Sequence, residues 1–349
     1  MEAESATLLG FDYPTLWFLV VGALFSGYAI LDGFDFGAGA WHLFFRKDRS
    51  RRIALNAVGP VWDGNEVWLV IGGGALFAGF PVLYASLFSA MNTPFMLFLV
   101  FIIFRAISIE FRSKEPMAWW RNAWDIAYSV SSIALAFLLG VVLGNVLQGI
   151  PLNENYVYQG NGFLDFLSPF TILTGLTTLS LFMTHGAIYL LLKTEGRLYA
   201  KLTRLLPRGI IFFVISFSVT TLYALVYIPH LSDDFKANPW LFLVPLGAIL
   251  SVANIPRLAH LRRYGSAFIF SSLTIAFLLV LVSIEIFPVL LFSTLDPTHS
   301  ITVYNAASST RSLQIMLIIF AIGAPLVAFY TIFVYRTFKG KVELDDFSY

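Results

Sequence analysis

Four acidic side chains sit where acids are costly. Asp32 and Asp35 interrupt an apolar run from Leu16 to Phe45, and Asp63 and Glu66 interrupt the next, from Ile53 to Phe80. Each pair is spaced i and i+3, so in a helix both carboxyls share one face. An ionisable group inside a membrane-spanning stretch is expensive unless it faces protein or water, which makes all four candidates for function. The chemistry on offer is a water-linked relay for protons or cations. The competing account is a structural hydrogen-bond cluster in which Asn56, Asn65 and Ser26 satisfy the carboxyls. At about 1.5 Å of rise per residue, Asp32 lies roughly 24 Å below the outer end of its span, and Asp63 about 15 Å above the inner end of the next. Both depths fall in the inner half or near the midplane, so the pairs can meet across adjacent antiparallel helices.

The elements that must hold these acids are legible in the hydropathy. Of 349 residues, 58% are hydrophobic and 12% charged, with a mean hydropathy of +0.78. A soluble chain carries about twice that charged fraction. A net charge of +1 supplies no field for a nucleic-acid partner. Cysteine is absent, which excludes disulfides, thiolate metal sites and cysteine nucleophiles. The acidic stretch from Met1 to Tyr13 lacks the basic start of a cleavable signal, so the first span is expected to be retained. Apolar stretches long enough to cross a bilayer fall at 15–44, 53–79, 81–110, 122–148, 168–193, 209–229, 240–260, 265–292 and 313–336. Strand-like alternation is absent, so the spans are helical. The fold class is an all-α polytopic membrane protein with nine transmembrane helices.

Charge placement orients it. With the N-terminus outside, the inside segments 46–52, 105–121, 193–208, 257–263 and 336–341 hold 20 of the 22 Lys and Arg residues. Only Lys236 and Arg311 stay outside, as the positive-inside rule asks of an N-out, C-in chain. The outer loops, 148–168, 230–239 and 293–312, are too short for a separate domain. Trp17, Trp41, Trp119, Trp120, Trp124 and Trp240 lie near span ends, where interfacial anchors belong.

The remaining candidates have plainer readings. Gly22, Gly27, Gly33, Gly37 and Gly39, with Gly72 to Gly74, give small faces for close helix packing. Glu110 and Lys114, spaced i and i+4 at the inner end of span three, suit an interfacial salt bridge better than a proton-entry mouth. Arg121 and Asp125 repeat that spacing as a helix-fixing pair. Among the five histidines, His42, His185, His230, His260 and His299, only His185 lies well within a span. Met183 beside it makes axial haem ligation chemically conceivable, but a satisfied core histidine fits the lack of a spaced ligand pair better. Glu285, just before Pro288, reads either as a functional acid or as the polar partner of a kink.

Taken together, these stretches resemble subunit II of the cytochrome bd-type quinol oxidases. The motifs that carry the likeness are Asp32-Gly33-Phe34-Asp35 with Gly37 and Gly39, Trp62-Asp63-Gly64-Asn65-Glu66-Val67-Trp68, and Gly73-Gly74-Ala75-Leu76-Phe77-Ala78. Phe111-Arg112-Ser113-Lys114, Trp120-Arg121-Asn122-Ala123-Trp124-Asp125, Gly144-Asn145-Val146-Leu147-Gln148-Gly149, Pro169-Phe170 and Gly186-Ala187-Ile188-Tyr189-Leu190 extend it in order. After Lys193 the likeness is mostly topology, with an echo at Ala306 to Ser309.

The resemblance implies two four-helix bundles plus one peripheral helix, divided as 1–150, 151–295 and 296–349. The last division holds the outer loop, the ninth helix and a cytoplasmic tail. It implies a bacterial cytoplasmic-membrane subunit of a respiratory oxidoreductase, paired with a larger subunit I that carries haem b and haem d, oxidises quinol and reduces oxygen to water. This chain is then expected to hold no haem ligand and no metal of its own. Asp32, Asp35, Asp63 and Glu66 are implied in proton delivery from the cytoplasm towards the oxygen-reducing haem, and Glu110 and Lys114 in a second hydrophilic route. The family pattern has Asp where Glu110 stands, Gln at His185 and Asp at Asn305, so the last two carry no implied role. A small single-helix accessory subunit, membrane lipid and a structural quinone in a bundle are compatible partners that no motif here fixes. The rival function is a stand-alone ion-coupled secondary transporter with midplane acids, and a third is a purely structural scaffold. Transporters of that kind place matching broken helices in two halves, whereas here the second half offers only Glu285.

Overall fold

Asp12 accepts a hydrogen bond from Thr15 N at 2.8 Å and Pro14 follows it, which starts helix α1 over Tyr13–His42. The computed structural model describes residues 7–344 apart from 9, 229, 230, 232–234 and 236. His230, Lys236, most of the loop expected at 230–239, and residues 1–6 of the acidic N-terminus therefore lie outside the described residues. After α1 come α2 (Asp48–Val58), α3 (Trp62–Gly79), α4 (Pro81–Ala90), α5 (Asn92–Phe111) and α6 (Ala118–Gln148). The second half holds α7 (Pro169–Lys193), α8 (Gly196–Tyr227), α9 (Leu243–His260), α10 (Tyr264–Glu285) and α11 (Thr310–Thr337). Two short antiparallel pairs, β1 (Thr7–Leu8) with β2 (Phe11–Asp12) and β3 (Val289–Leu291) with β4 (Ile301–Thr302), and short 3-10 turns at Phe163–Phe166, Pro239–Phe242 and Pro297–His299 complete the described elements.

Among the described residues eight helical segments are long and apolar enough to cross a membrane, and nine if the bent pair α3–α4 counts as one. Three expected boundaries move, each for a local reason. The span expected at 53–79 is two helices, because Pro60 has no N–H to give to a carbonyl one turn back. The span expected at 81–110 is also divided, at Met91, and its first piece turns away from α3 by 117° at Phe80. Pro81 forces that bend, since the residue before a proline is pushed out of helical geometry; Phe80 sits at φ −131°, ψ 65°. Helix α10 ends at Glu285 rather than running to 292, and the chain after Pro288 enters β3. Conversely, α8 begins thirteen residues before the apolar stretch that announced it at 209, its N-terminal part carrying Arg197, Lys201, Arg204 and Arg208.

Helix α7 is the most enclosed span, with 78% of its apolar window buried, and it packs against α6, α8 and α1. Glycine makes the α1–α7 crossing close: a Cβ on Gly37 would lie 1.8 Å from the Phe182 carbonyl oxygen, and one on Gly186 would lie 2.4 Å from Ala38 N. Gly73 and Gly74, expected to pack, meet nothing within 4 Å in this chain. Near the N-terminal end of α1 the segments after α6 and α10 close over Trp17, Phe18 and Phe80, with Ile150 N donating to Phe292 O at 3.0 Å and Thr294 N to Ile150 O at 3.1 Å. In that cap Tyr158 Oη donates to Asp165 at 3.0 Å. Burial, reinforced by that carboxylate, pushes the Tyr158 phenol up to about 12.

Candidate functional site

Three acids and one arginine meet at the junction of α1, α3 and α5. Arg105, fully buried, donates from Nη2 to Asp32 Oδ1 at 2.6 Å and from Nη1 to Asp32 Oδ2 at 3.1 Å. The same Nη1 reaches Glu66 Oε1 at 2.8 Å, and Nη2 lies 3.9 Å from Asp35 Oδ2. The fork geometry of guanidinium suits this shared, bidentate contact. Phe36 closes the site from below the guanidinium, with Arg105 Cζ 4.4 Å from its ring centroid. Asp35 takes its hydrogen bond from Asn65 Nδ2 at 2.7 Å, and Asn65 also donates to Leu31 O at 3.1 Å.

The site is polar beyond its direct bonds. Asp35 Oδ1 and Arg105 Nε are buried there with no hydrogen-bond partner among the described residues. Buried polar atoms of this kind ordinarily engage water. Two more carboxyls than cations face one another, so full ionisation would leave uncompensated charge in a buried place, which is strongly unfavourable. At least one proton or mobile cation must therefore accompany the cluster.

Of the expected site residues, the fold brings together Asp32, Asp35 and Glu66. Asp63 stands apart: it is exposed, in the first turn of α3 rather than nearly three turns inside a longer helix, because the chain breaks at Gly59-Pro60. An acid in a first helical turn is favoured by the helix dipole. Asn65 satisfies a carboxyl as expected, whereas Ser26 Oγ donates to Gly22 O and Asn56 Nδ2 to Arg52 O. Glu110 is half-buried in the last turn of α5 and Lys114 is exposed just beyond it.

A second charged centre lies nearer the C-terminal end of α1. Asp125 accepts from Arg112 Nε at 2.6 Å and Arg51 Nη1 at 2.9 Å, and its Oδ1 is 2.5 Å from His42 Nε2. The expected Arg121–Asp125 pair is thus replaced: Arg121 reaches Asp48 at 3.3 Å and Pro116 O at 2.6 Å. Asp125 is buried, and Arg112, just past the end of α5, meets it through two hydrogen bonds, while Arg121 is half-buried.

Arg105 was legible only as a basic residue near a span end, and it was grouped with the inside charges. Its place within the apolar run from Asn92 to Ile109 was the available signal, since arginine at such a position seeks an acid partner.

A multi-pass helical membrane protein with a buried charged core is the class this architecture defines. The chain belongs to the cytochrome bd terminal oxidase subunit II family, which it matches over residues 13–338. It is 32% identical to the cytochrome bd-I ubiquinol oxidase subunit 2 of Escherichia coli K12, over 96% of this chain and 97% of that one. It is 30% identical to the cytochrome bd ubiquinol oxidase subunit 2 of Bacillus subtilis 168, over 94% and 96% respectively. Its fold is similar to a chain in the structure of bd oxidase from Geobacillus thermodenitrificans, with a TM-score of 0.76, 21% identity, and 93% and 98% of the two chains covered.

Haem is the group such a family implies, and His185 does not fit it as an axial ligand. His185 Nδ1 lies 2.7 Å from Ser271 Oγ and Nε2 lies 3.0 Å from Ile30 O, so both ring nitrogens are engaged. His42 Nε2 is held by Asp125, while its Nδ1 is buried with no hydrogen-bond partner among the described residues. Among the described residues no group of three or more His, Cys, Asp or Glu could hold a metal ion.

Proposed function

We propose that this chain is the subunit II of a bd-type quinol:oxygen oxidoreductase, stabilising a haem-bearing subunit I and delivering protons from the cytoplasm towards the oxygen-reducing haem. Asp32, Asp35, Glu66 and Asp63 are the carboxyls assigned to that delivery. Haem b, haem d and the quinol site belong to the partner in this reading, and the engaged nitrogens of His185 support it. The chain sits in the bacterial cytoplasmic membrane with nine spans, N-out and C-in, as two four-helix bundles, 1–150 and 151–295, with the last helix peripheral. Glu110 and Lys114 form a second hydrophilic route.

One observation carries the proposal: three carboxyls gathered around a single buried guanidinium. Arg105 neutralises part of the cluster, and the remaining acid capacity can take and release protons, which general acid–base work requires. Exposed Asp63 lies on the same helix as Glu66, three residues away, beside exposed Val67 and Val70. Lipid is a poor neighbour for that acid, so subunit I covers this face and receives the proton there. The transporter reading loses its ground, because the chain belongs to an oxidase-subunit family.

Asp63→Asn and Asp35→Asn, each in the purified two-subunit complex, test the reading. Both keep shape and most hydrogen bonding while removing titration. The expected result is intact haem spectra with oxygen consumption reduced about a hundredfold, the range of a lost acid–base group. Full turnover in an intact complex would sink the relay, and parallel loss of haem and activity would favour the scaffold.

A further inference from the structure

The last helix touches the fold mainly at its ends. None of the apolar window of α11 is buried. At its outer end Ser308 N and Oγ donate to Gly79 O and Ala78 O at 2.8 and 2.6 Å. Beyond its inner end Lys341 Nζ donates to Leu191 O and Thr194 O at 3.1 and 3.0 Å, and Val342 N donates to Lys193 O at 2.9 Å. Between these pins Tyr335 turns inward, edge-on to Phe34 at 6.4 Å, and its hydroxyl donates to Asn65 Oδ1 at 3.0 Å.

Asn65 has no freedom left. Leu31 O can only accept, so the amide nitrogen must face it, and its second N–H goes to Asp35. The amide oxygen then needs a donor, and Tyr335 is that donor. We propose that Tyr335 is a positioning residue for Asp35: by filling the amide oxygen of Asn65 it holds the amide NH2 against the Asp35 carboxyl. The proposal rests on the reading of Asp35 as a proton-transfer group. Tyr335 acts only through Asn65, and the peripheral helix thereby becomes part of the proton machinery.

The groups that face Asp35 come from every neighbouring helix: Asp32 on α1, Glu66 and Asn65 on α3, Arg105 on α5, Tyr128 on α6, Tyr189 on α7 and Tyr335 on α11. The Tyr335 hydroxyl reaches the carboxyl by way of the neutral Asn65 amide. Without it, Asn65 carries a buried unpartnered oxygen, and the amide is held less firmly against Leu31 O and the Asp35 carboxyl. That changes the hydrogen bond the acid receives and so the pH at which it exchanges its proton.

The test uses the assembled complex, with oxygen consumption per haem measured against pH. Tyr335→Phe should keep the haem spectrum, lower turnover about threefold or more, and displace the pH profile by about half a unit or more. Asn65→Ala should displace the profile likewise, and the double variant should add little, because the two act as one unit. Tyr330→Phe, on the exposed side of the same helix, should behave as the parent. A Tyr335→Phe complex with lower yield but an unmoved profile in its assembled fraction overturns the proposal. Full turnover in Asp35→Asn would instead remove the reading beneath it, whereas an inactive Asp35→Asn beside an unmoved Tyr335→Phe profile overturns this inference alone.

Discussion

Arg105 and Asp32, 73 residues apart in sequence, meet through two hydrogen bonds of 2.6 and 3.1 Å in a site that buries both completely. The pair ties α5 to α1, and the same guanidinium extends to Glu66 on α3. Three helices therefore depend on one side chain for charge compensation.

Replacing Arg105 by Leu should leave three acids around an apolar group. Removing one partner of a buried ion pair is destabilising by about 3–5 kcal/mol. Arg105→Lys keeps the charge but cannot hold both oxygens of Asp32 and Glu66 together, so it should fall between parent and Leu. Thermal unfolding of the purified complex reads both. A Leu variant as stable as the parent would show that the cluster carries no net charge needing Arg105.

What the sequence revealed of this site followed from distance along the chain. Asp32, Asp35 and Glu66 announced themselves because acids in apolar runs are rare, and their i, i+3 spacing holds in any helix. Asp63 shares that spacing with Glu66 but not its burial, because Pro60 shortens the helix and brings it to the first turn. Arg105 and Tyr335 could not be attached to the acids at all, since nothing local couples positions so far apart. Eight of the nine expected spans are long apolar helices among the described residues, and the ninth is met only if the bent pair α3–α4 counts as one; the bends at Phe80 and Met91 and the polar start of α8 did not show, because a hydropathy window measures composition and not direction.

Gly37 offers a steric test of the α1–α7 crossing. Its Cβ would lie 1.8 Å from the Phe182 carbonyl oxygen, a backbone atom that cannot swing aside. Gly37→Ala should therefore separate two core helices and cost at least about 3 kcal/mol, as overpacking against backbone does. Gly265→Ala, with nothing within 4 Å, should be neutral or slightly stabilising. The comparison is the yield of folded, detergent-soluble chain, and equal yields would refute the crossing.

Orientation can be read by labelling, since the chain has no cysteine of its own. With Arg105 now inside the bundle, 19 basic residues still fall on the inner side in the N-out arrangement. Glu154→Cys should react with a membrane-impermeant maleimide in intact spheroplasts, and exposed Arg49→Cys only after lysis. The reverse pattern would invert the proposed topology.

Tyr158 gives the outer cap a pH signature. Its phenol is raised from 10.0 to about 12, first by burial and then by Asp165. A raised value in the folded chain means that its contribution is complete below pH 10 and is lost as the pH climbs through about 12. The phenolate absorbance difference between parent and Tyr158→Phe should thus titrate near 12. A midpoint near 10 would mean that the cap does not hold Tyr158 against Asp165.

Asp125 should prove the most sensitive acid near the C-terminal end of α1. It ties four parts of the chain together: Arg112, just past the end of α5, approaches at 2.6 Å, Arg51 from α2 at 2.9 Å, His42 from α1 at 2.5 Å, and Asp125 itself belongs to α6. Its side chain is 1% exposed and that of Arg112 is 2%, so Asp125→Asn would leave a buried guanidinium without its principal counter-charge. The expected loss is about 3–5 kcal/mol. Asp48 also pairs with Arg112, at 2.7 Å, but its side chain is 48% exposed. Water can replace Asp48, so Asp48→Asn should cost about 1 kcal/mol or less. Thermal midpoints of the two variants in the same detergent decide the matter. Equal shifts would mean that Arg112 is solvated in the membrane-embedded protein and that Asp125 does not hold the four parts together.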